Sequence, residues 1–99
     1  MHVSGTVTTP LGSKYIHKLC KHFTHRVPAE WNESKGTVHF EMGKCSITAT
    51  NTTLTFVCEA QTDDDLYAIL ETVKSHFDRF ALKDQLELNW QDNIAESSL

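Results

Sequence analysis

Residues that could bind an anion or a metal cluster in one segment of the chain, Ser13–Val27. It holds four of the nine Lys and Arg residues and three of the six histidines, and it contains no acidic residue: Lys14, His17, Lys18, Lys21, His22, His25 and Arg26. Ammonium, guanidinium and imidazole groups attract anions. The segment therefore predicts a surface that binds an acidic ligand or protein partner, with Lys18, Lys21, His22 and His25 as the candidate binding residues. The alternative is a solvated helix face whose basic residues carry no function.

Metal binding is a second chemistry that this segment permits. His22 and His25 are three positions apart and would lie on neighbouring turns of a helix, where both could ligate one ion. No carboxylate accompanies them, unlike in an HExxH motif, so the signal is weak. Exposed histidines are the simpler interpretation, and we predict neither a metal nor a cofactor; a histidine-dependent metal-binding protein stays as an alternative.

Three cysteines offer thiol chemistry. Cys20 and His17 are one helical turn apart, but a position near a helix C-terminus disfavours a thiolate, and Cys20 also lies on an apolar stripe. Cys45 and Cys58 are predicted to face each other on the core side of a sheet. Buried, inert thiols are the leading interpretation, so no catalytic residue is predicted. A cysteine-based redox protein or small enzyme is the alternative.

Composition narrows the class of protein. The chain has 99 residues, 39% of them hydrophobic, and a formal net charge of −4. One domain with one core is expected, and an acidic chain argues against general nucleic-acid binding. No apolar run approaches the roughly 20 residues of a membrane span. The first residues do not resemble a secretion signal, so we expect a cytoplasmic protein.

The elements that would position these residues follow from hydrophobic periodicity. Ser13–Val27 forms an amphipathic helix whose apolar stripe is Ile16, Leu19, Cys20, Phe23 and Val27, and Pro28 ends it. Strands are predicted over residues 3–8, 29–32, 37–42, 45–50, 54–59 and 86–90. Thr62 caps a second helix, which begins with three aspartates and carries an apolar stripe of Leu66, Ile69, Leu70, Val73, Phe77 and Phe80.

Two short turns set the predicted strand register. A turn at residues 43–44 would pair Val38 with Ala49, Phe40 with Ile47 and Met42 with Cys45. A turn at residues 51–52 would pair Ala49 with Leu54, Ile47 with Phe56 and Cys45 with Cys58. Every pair is then apolar on one face, and a slip of one residue would destroy that agreement.

The predicted order is β-α-β-β-β-β-α-β. Two helices must then cover one apolar face of a mostly antiparallel sheet of about six strands, which is a two-layer α+β sandwich. Residues 1–91 form this single domain, and residues 92–99 are predicted to be a disordered tail. Sheet edges and an open polar face permit a dimer without specifying one.

Several segments together resemble a small bacterial family, catalogued as domain of unknown function 2218. They are the run from Leu19 to Arg26, the residues Gly43-Lys44-Cys45, the Asp-rich start of the second helix, and the run from His76 to Ala81. The resemblance extends over residues 3–91. It implies a compact stand-alone bacterial domain with a contextual link to iron-siderophore handling, and it supplies no catalytic residues. The resulting hypothesis is a non-enzymatic binding or accessory module.

Overall fold

A computed structural model describes residues 1–91 of the chain. A five-stranded antiparallel sheet, in the order β1-β5-β4-β3-β2, is covered on one face by two helices. The α+β two-layer architecture is therefore confirmed. No helix in this part of the chain is long and apolar enough to cross a membrane. The elements are β1 (His2–Thr8), α1 (Gly12–Phe23), β2 (Ala29–Trp31), β3 (Lys35–Phe40), β4 (Gly43–Ala49), β5 (Thr53–Ala60) and α2 (Asp63–Phe80).

Helix α1 lies over strands β2, β3 and β4. Its buried face consists of Tyr15, Ile16, Leu19, Cys20 and Phe23. The helix ends at Phe23, whereas the periodicity predicts an end at Val27. The reason is a tight turn, in which the backbone N–H groups of Arg26 and Val27 both donate to the Phe23 carbonyl, each at 2.9 Å. His25 and Arg26 therefore lie on a turn that follows the helix.

The register of β4 against β5 is the predicted one. Cys45 pairs with Cys58, Ile47 with Phe56 and Ala49 with Leu54. The first two pairs are almost fully buried under the helices. Alternation of apolar and polar residues with a period of two determined the face of this hairpin, and the short turn at residues 51–52 determined its register.

The predicted turn between β3 and β4 is wrong. The turn lies at Glu41-Met42, so Phe40 pairs with Gly43 and Val38 with Cys45. Gly43 is the first residue of β4 and is glycine for a packing reason: a β-carbon there would collide with the Glu59 carbonyl oxygen and lie 2.8 Å from Cδ1 of Ile69. Met42, predicted to face the core, is exposed on the turn.

Helix α2 begins as predicted. The Thr62 hydroxyl accepts a hydrogen bond from the Asp65 backbone N–H at 3.1 Å, which satisfies one free amide of the first turn. Asp63, Asp64 and Asp65 occupy that first turn, where the helix dipole favours negative charge. Leu70 and Phe80 of the predicted stripe are half-buried. The fully buried residues of the stripe pack on β4 and β5: Leu66, Ile69, Val73 and Phe77.

The predicted sixth strand, residues 86–90, is not formed. Only one bridge, between Gly5 and Trp90, joins this segment to the sheet. Leu88 is buried, but side chains of α2 take its backbone groups: its N–H donates to Asp78 at 2.9 Å, and Lys74 donates to its carbonyl. A strand ladder cannot form where these groups are already bonded. The predicted tail, 92–99, lies outside the described residues.

Candidate functional site

A groove of about 700 Å³ lies where the C-terminal end of α1 meets α2 and the end of β3. We call it the basic groove. Its lining contains three histidines, two arginines and no acidic side chain. The lining residues are His22, Phe23, His25, Arg26, Val27, Phe40, Thr72, His76 and Arg79. This volume falls within the range of roughly 300–1,000 Å³ that is usual for small-molecule sites.

Helix packing places His22 of α1 against His76 of α2. The centroids of the two imidazole rings are 4.9 Å apart. His22 also contacts Phe80, with ring centroids 5.4 Å apart, and Phe23, at 5.7 Å. The two histidines, 54 positions apart in the chain by their numbering, therefore form one wall of the groove.

A hydrogen bond orients His76. Its Nδ1 lies 2.7 Å from the Thr72 carbonyl oxygen. A carbonyl oxygen only accepts hydrogen bonds, so Nδ1 carries a proton and donates. In the neutral ring Nε2 then keeps its lone pair, and in the imidazolium form Nε2 becomes a second donor. The Thr72 hydroxyl is itself committed, since it donates to the Ala68 carbonyl at 2.8 Å.

The field in the groove is positive. Partial desolvation of the imidazole lowers the pKa of His22, and the neighbouring basic groups His76, His25, Arg79 and Arg26 lower it further. Each of these groups disfavours a proton on His22 because like charges repel. A negative charge placed beside His22 would act in the opposite direction on this pKa.

Apolar surface completes the groove. Phe23 packs edge-on against Phe40, with ring centroids 5.5 Å apart, and its ring lies 5.0 Å from that of His76. Val27, on the turn after α1, is half-buried beside them. Cationic tips around an apolar floor are the usual arrangement of a site for an organic anion.

The four predicted binding residues separate in the structure. His22 and His25 line the basic groove. Lys18 lies beside it, with its ammonium 5.7 Å from the centroid of the Phe80 ring, in cation–π geometry. Lys21 is exposed and outside the lining. Their role in binding stays a prediction.

Three basic lining residues were not among the predicted binding residues: Arg26, His76 and Arg79. Arg26 was counted in the basic segment, and His76 sits beside the apolar stripe of the second helix. The spacing of His76 and Phe80, four positions apart on one face of α2, is the signal that could have found them. It would have needed the knowledge that this face meets the end of α1.

Three lysines of residues 1–91, none of which lines the groove, have acidic partners. Lys14 lies 3.8 Å from Asp84, Lys74 lies 2.8 Å from Asp78, and Lys44 lies 3.9 Å from Glu59. Within the same residues, no salt bridge involves a residue that lines the basic groove. The groove is thus a local excess of positive charge in an acidic protein.

A second concavity, of about 720 Å³, lies at the β3–β4 turn. Its lining includes Lys44 together with Glu41, Glu59 and Asp65, so its charges are mixed. Lys44 and Glu59 compensate each other. This concavity lacks the excess charge and the ring cluster of the basic groove, which is therefore the better candidate despite its similar size.

The cysteines occupy the core. Cys20, Cys45 and Cys58 are free thiols with no exposed surface. Burial, together with the nearby charge of Glu30, raises the pKa of Cys20 to about 11. A hydrogen bond with Cys58, together with burial, raises the pKa of Cys45 well above its ordinary value. A reactive thiolate needs access and a lowered pKa, so this geometry opposes cysteine chemistry.

The structure also shows where His17 lies and which residues surround the histidines of the metal hypothesis. His17 accepts a hydrogen bond at Nδ1 from the Trp31 indole at 3.2 Å, so its ring is turned towards β2. In the described part of the chain, no three His, Cys, Asp or Glu residues stand close enough together to hold a metal ion. The predicted chelating partner of His22 was His25, whereas the imidazole that packs against His22 is that of His76.

Comparison with known proteins assigns the family. Residues 4–91 match a family model described as "Uncharacterized protein conserved in bacteria (DUF2218)". The chain belongs to this family. The DUF2218 chain is also similar to a solved structure, the NMR structure of PA4090 from Pseudomonas aeruginosa, with 25% identity and a TM-score of 0.76 over 92% of this chain and 95% of that one. No curated protein matches the chain.

Proposed function

We propose that this DUF2218 protein is a binding module whose basic groove holds an anionic ligand. The observation that carries the proposal is the grouping of three histidines and two arginines around one concavity that no acidic side chain lines. Like charges held together raise the free energy of the folded protein, and an anion between them removes that cost. The proposal makes the protein a non-enzymatic binder.

The finer predictions concern what the ligand is and where binding occurs. The resemblance implies iron-siderophore handling, and the support for it here is the sign of the groove's charge, since iron chelators coordinate through anionic oxygens. An acidic segment of a protein partner would have the same sign. A cytoplasmic location and a dimer stay predictions that the groove neither requires nor opposes.

Amide chemical shifts give a direct test. We would titrate the ¹⁵N-labelled protein with sodium acetate and with inorganic phosphate, each at constant ionic strength. Anion binding in the groove predicts the largest shifts at His25, Arg26, Thr72, His76 and Arg79. Shifts spread evenly over the exposed lysines would instead show that the protein attracts anions without a site.

A pair of matched double variants makes the test specific. Arg26→Gln with Arg79→Gln removes two cations from the groove. Lys35→Gln with Lys83→Gln removes two exposed cations that do not line it, so both proteins change by the same net charge. A charge-assisted hydrogen bond contributes about 1.5–3 kcal/mol, so affinity should fall by at least about tenfold in the first variant only. An equal loss in both would contradict the proposal.

A further inference from the structure

The ring cluster of the basic groove identifies the class of ligand. We infer that the groove binds a small aromatic carboxylate, such as a benzoate, with its ring against the cluster and its carboxylate on the arginines. This inference rests on the proposed anion-binding function and adds the chemical nature of the anion.

The aromatic part of the argument comes from four rings that line the groove: His22, Phe23, Phe40 and His76. They form a continuous chain of contacts, with centroid separations of 4.9 Å between His22 and His76, 5.0 Å between His76 and Phe23, and 5.5 Å between Phe23 and Phe40. Aromatic pairs prefer edge-to-face and offset arrangements, and such contacts contribute about 0.5–1.5 kcal/mol beyond the burial of apolar area. A flat aromatic body can extend this chain.

The carboxylate part comes from the two guanidinium groups. Arg26 lies on the turn after α1 and Arg79 on α2, so they approach the groove from two elements. A guanidinium donates two parallel hydrogen bonds to a carboxylate in a geometry that an ammonium cannot match. His76 adds a donor at Nε2 when it is protonated, because its Nδ1 is already bonded to Thr72.

Inorganic phosphate is the weaker candidate for a structural reason. Phosphate sites usually draw on free backbone N–H groups at a helix N-terminus. The groove instead lies at the C-terminal end of α1, where no free N–H groups of a helix N-terminus are presented. The backbone N–H groups of Thr24, His25, Arg26 and Val27 are all bonded to carbonyls of residues 20–23. Arginine and histidine side chains must therefore supply the donors, and phosphate would leave the rings uncovered.

The experiment compares benzoate with cyclohexanecarboxylate and phosphate, by amide-shift titration at pH 6 and constant ionic strength. The first two differ only in the aromaticity of a six-membered ring. The expected order of affinity is benzoate, then cyclohexanecarboxylate, then phosphate. Ring–ring contacts contribute about 0.5–1.5 kcal/mol beyond burial, so benzoate should bind about two- to tenfold more tightly than its saturated analogue.

A variant assigns that preference to the groove. Phe40→Leu keeps an apolar side chain at a half-buried position and removes one lining ring, so the ratio of the benzoate to the cyclohexanecarboxylate affinity should fall towards one. Tyr67→Leu is the matched control, because Tyr67 is an exposed aromatic residue of α2 outside the lining. The control should leave the ratio unchanged.

The outcomes separate this inference from the function on which it rests. Equal binding of benzoate, cyclohexanecarboxylate and phosphate at the groove would overturn the aromatic inference and leave anion binding in place. No shift at the groove with any of the three would overturn both. Binding of benzyl alcohol as tight as that of benzoate would show that the rings bind without the charges, which would also overturn the carboxylate assignment.

Discussion

Both ends of α1 carry basic residues, but within residues 1–91 only those at the N-terminal end pair with an acidic group. At the N-terminal end, Lys14 lies 3.8 Å from Asp84, and the buried Tyr15 donates a hydrogen bond to the same carboxylate. At the C-terminal end, His22 meets another histidine, and Arg26 has no ion pair within residues 1–91. One end is compensated within the fold, whereas the groove at the other end has no ion pair within residues 1–91.

The difference teaches how to separate structural from functional charge in this protein. The compensated end fastens α1 to the 3₁₀ turn Leu82–Asp84, so its polar groups contribute to stability. The uncompensated end gathers basic groups that form no ion pair within residues 1–91, so their charges add no pairing energy to the fold. Substitutions at the first end should therefore change folding, and substitutions at the second should change binding.

The largest expected effect on stability is that of Tyr15→Phe. It removes the hydroxyl that donates to Asp84 while keeping the ring that packs on Phe77, 5.2 Å away between centroids. A hydrogen bond to a charged group contributes about 1.5–3 kcal/mol, and we expect a loss of free energy of unfolding near the lower value, measured by urea denaturation. Tyr67→Phe, at an exposed position, is the control. Equal effects would remove the distinction between the ends.

Alkaline titration sharpens the same point. Burial, the hydrogen bond to Asp84 and the charge of that carboxylate together raise the pKa of Tyr15 to about 12. Because the unfolded chain ionises this group near its ordinary value of 10.0, Tyr15 lowers stability as pH rises from about 10 to 12. Ultraviolet absorption should show one tyrosine that ionises near pH 12. Its absence from Tyr15→Phe would assign it, and its persistence would contradict the assignment.

A smaller effect on stability is expected at the other end. Arg79→Gln removes one of several like charges and no ion pair within residues 1–91, so the free energy of unfolding should stay within about 0.5 kcal/mol or rise slightly. Urea denaturation of this variant beside Lys83→Gln measures it. A loss of several times that size would mean that the groove is structural, which would break the comparison.

The smallest effect is a pH dependence from His22. Its pKa is lowered in the folded protein, so the unfolded chain binds the proton more tightly, and stability falls as pH drops through the ordinary value of 6.5. His22→Gln should flatten that slope, whereas His2→Gln, at an exposed position of β1, should not. Bound anion should raise the midpoint of the His22 ring signals. A midpoint that ignores benzoate would place the anion elsewhere.

Much of the fold was predictable because its signals are local. The threonine cap and the three aspartates marked the start of α2, and strict alternation placed Cys45 opposite Cys58. The hairpin between β3 and β4 was less predictable. A period of two fixes which face a residue occupies, so the real register, in which Val38 pairs with Cys45 and not with Ala49, satisfies the pattern equally well.

Glycine explains why the wrong register looked right. Glycine is a typical turn residue, yet Gly43 lies in β4. It is glycine because β5 and Ile69 of α2 leave no room for a side chain. The last segment follows the same rule. The alternation of Leu86, Leu88 and Trp90 is typical of a strand. Asp78 and Lys74 nevertheless occupy the backbone hydrogen-bonding groups of Leu88, which a strand would need. In both places a long-range contact decided between local patterns of equal quality.

The sequence by itself determined the two-layer fold, the buried stripes and the concentration of basic residues in the segment around α1. Only the tertiary structure decided which of those residues share a site. It ended α1 at Phe23, which moved His25 and Arg26 onto a turn, and it set His22 against His76. Periodicity describes one element at a time, whereas a groove is a property of the contact between elements, and helix packing alone specifies that contact.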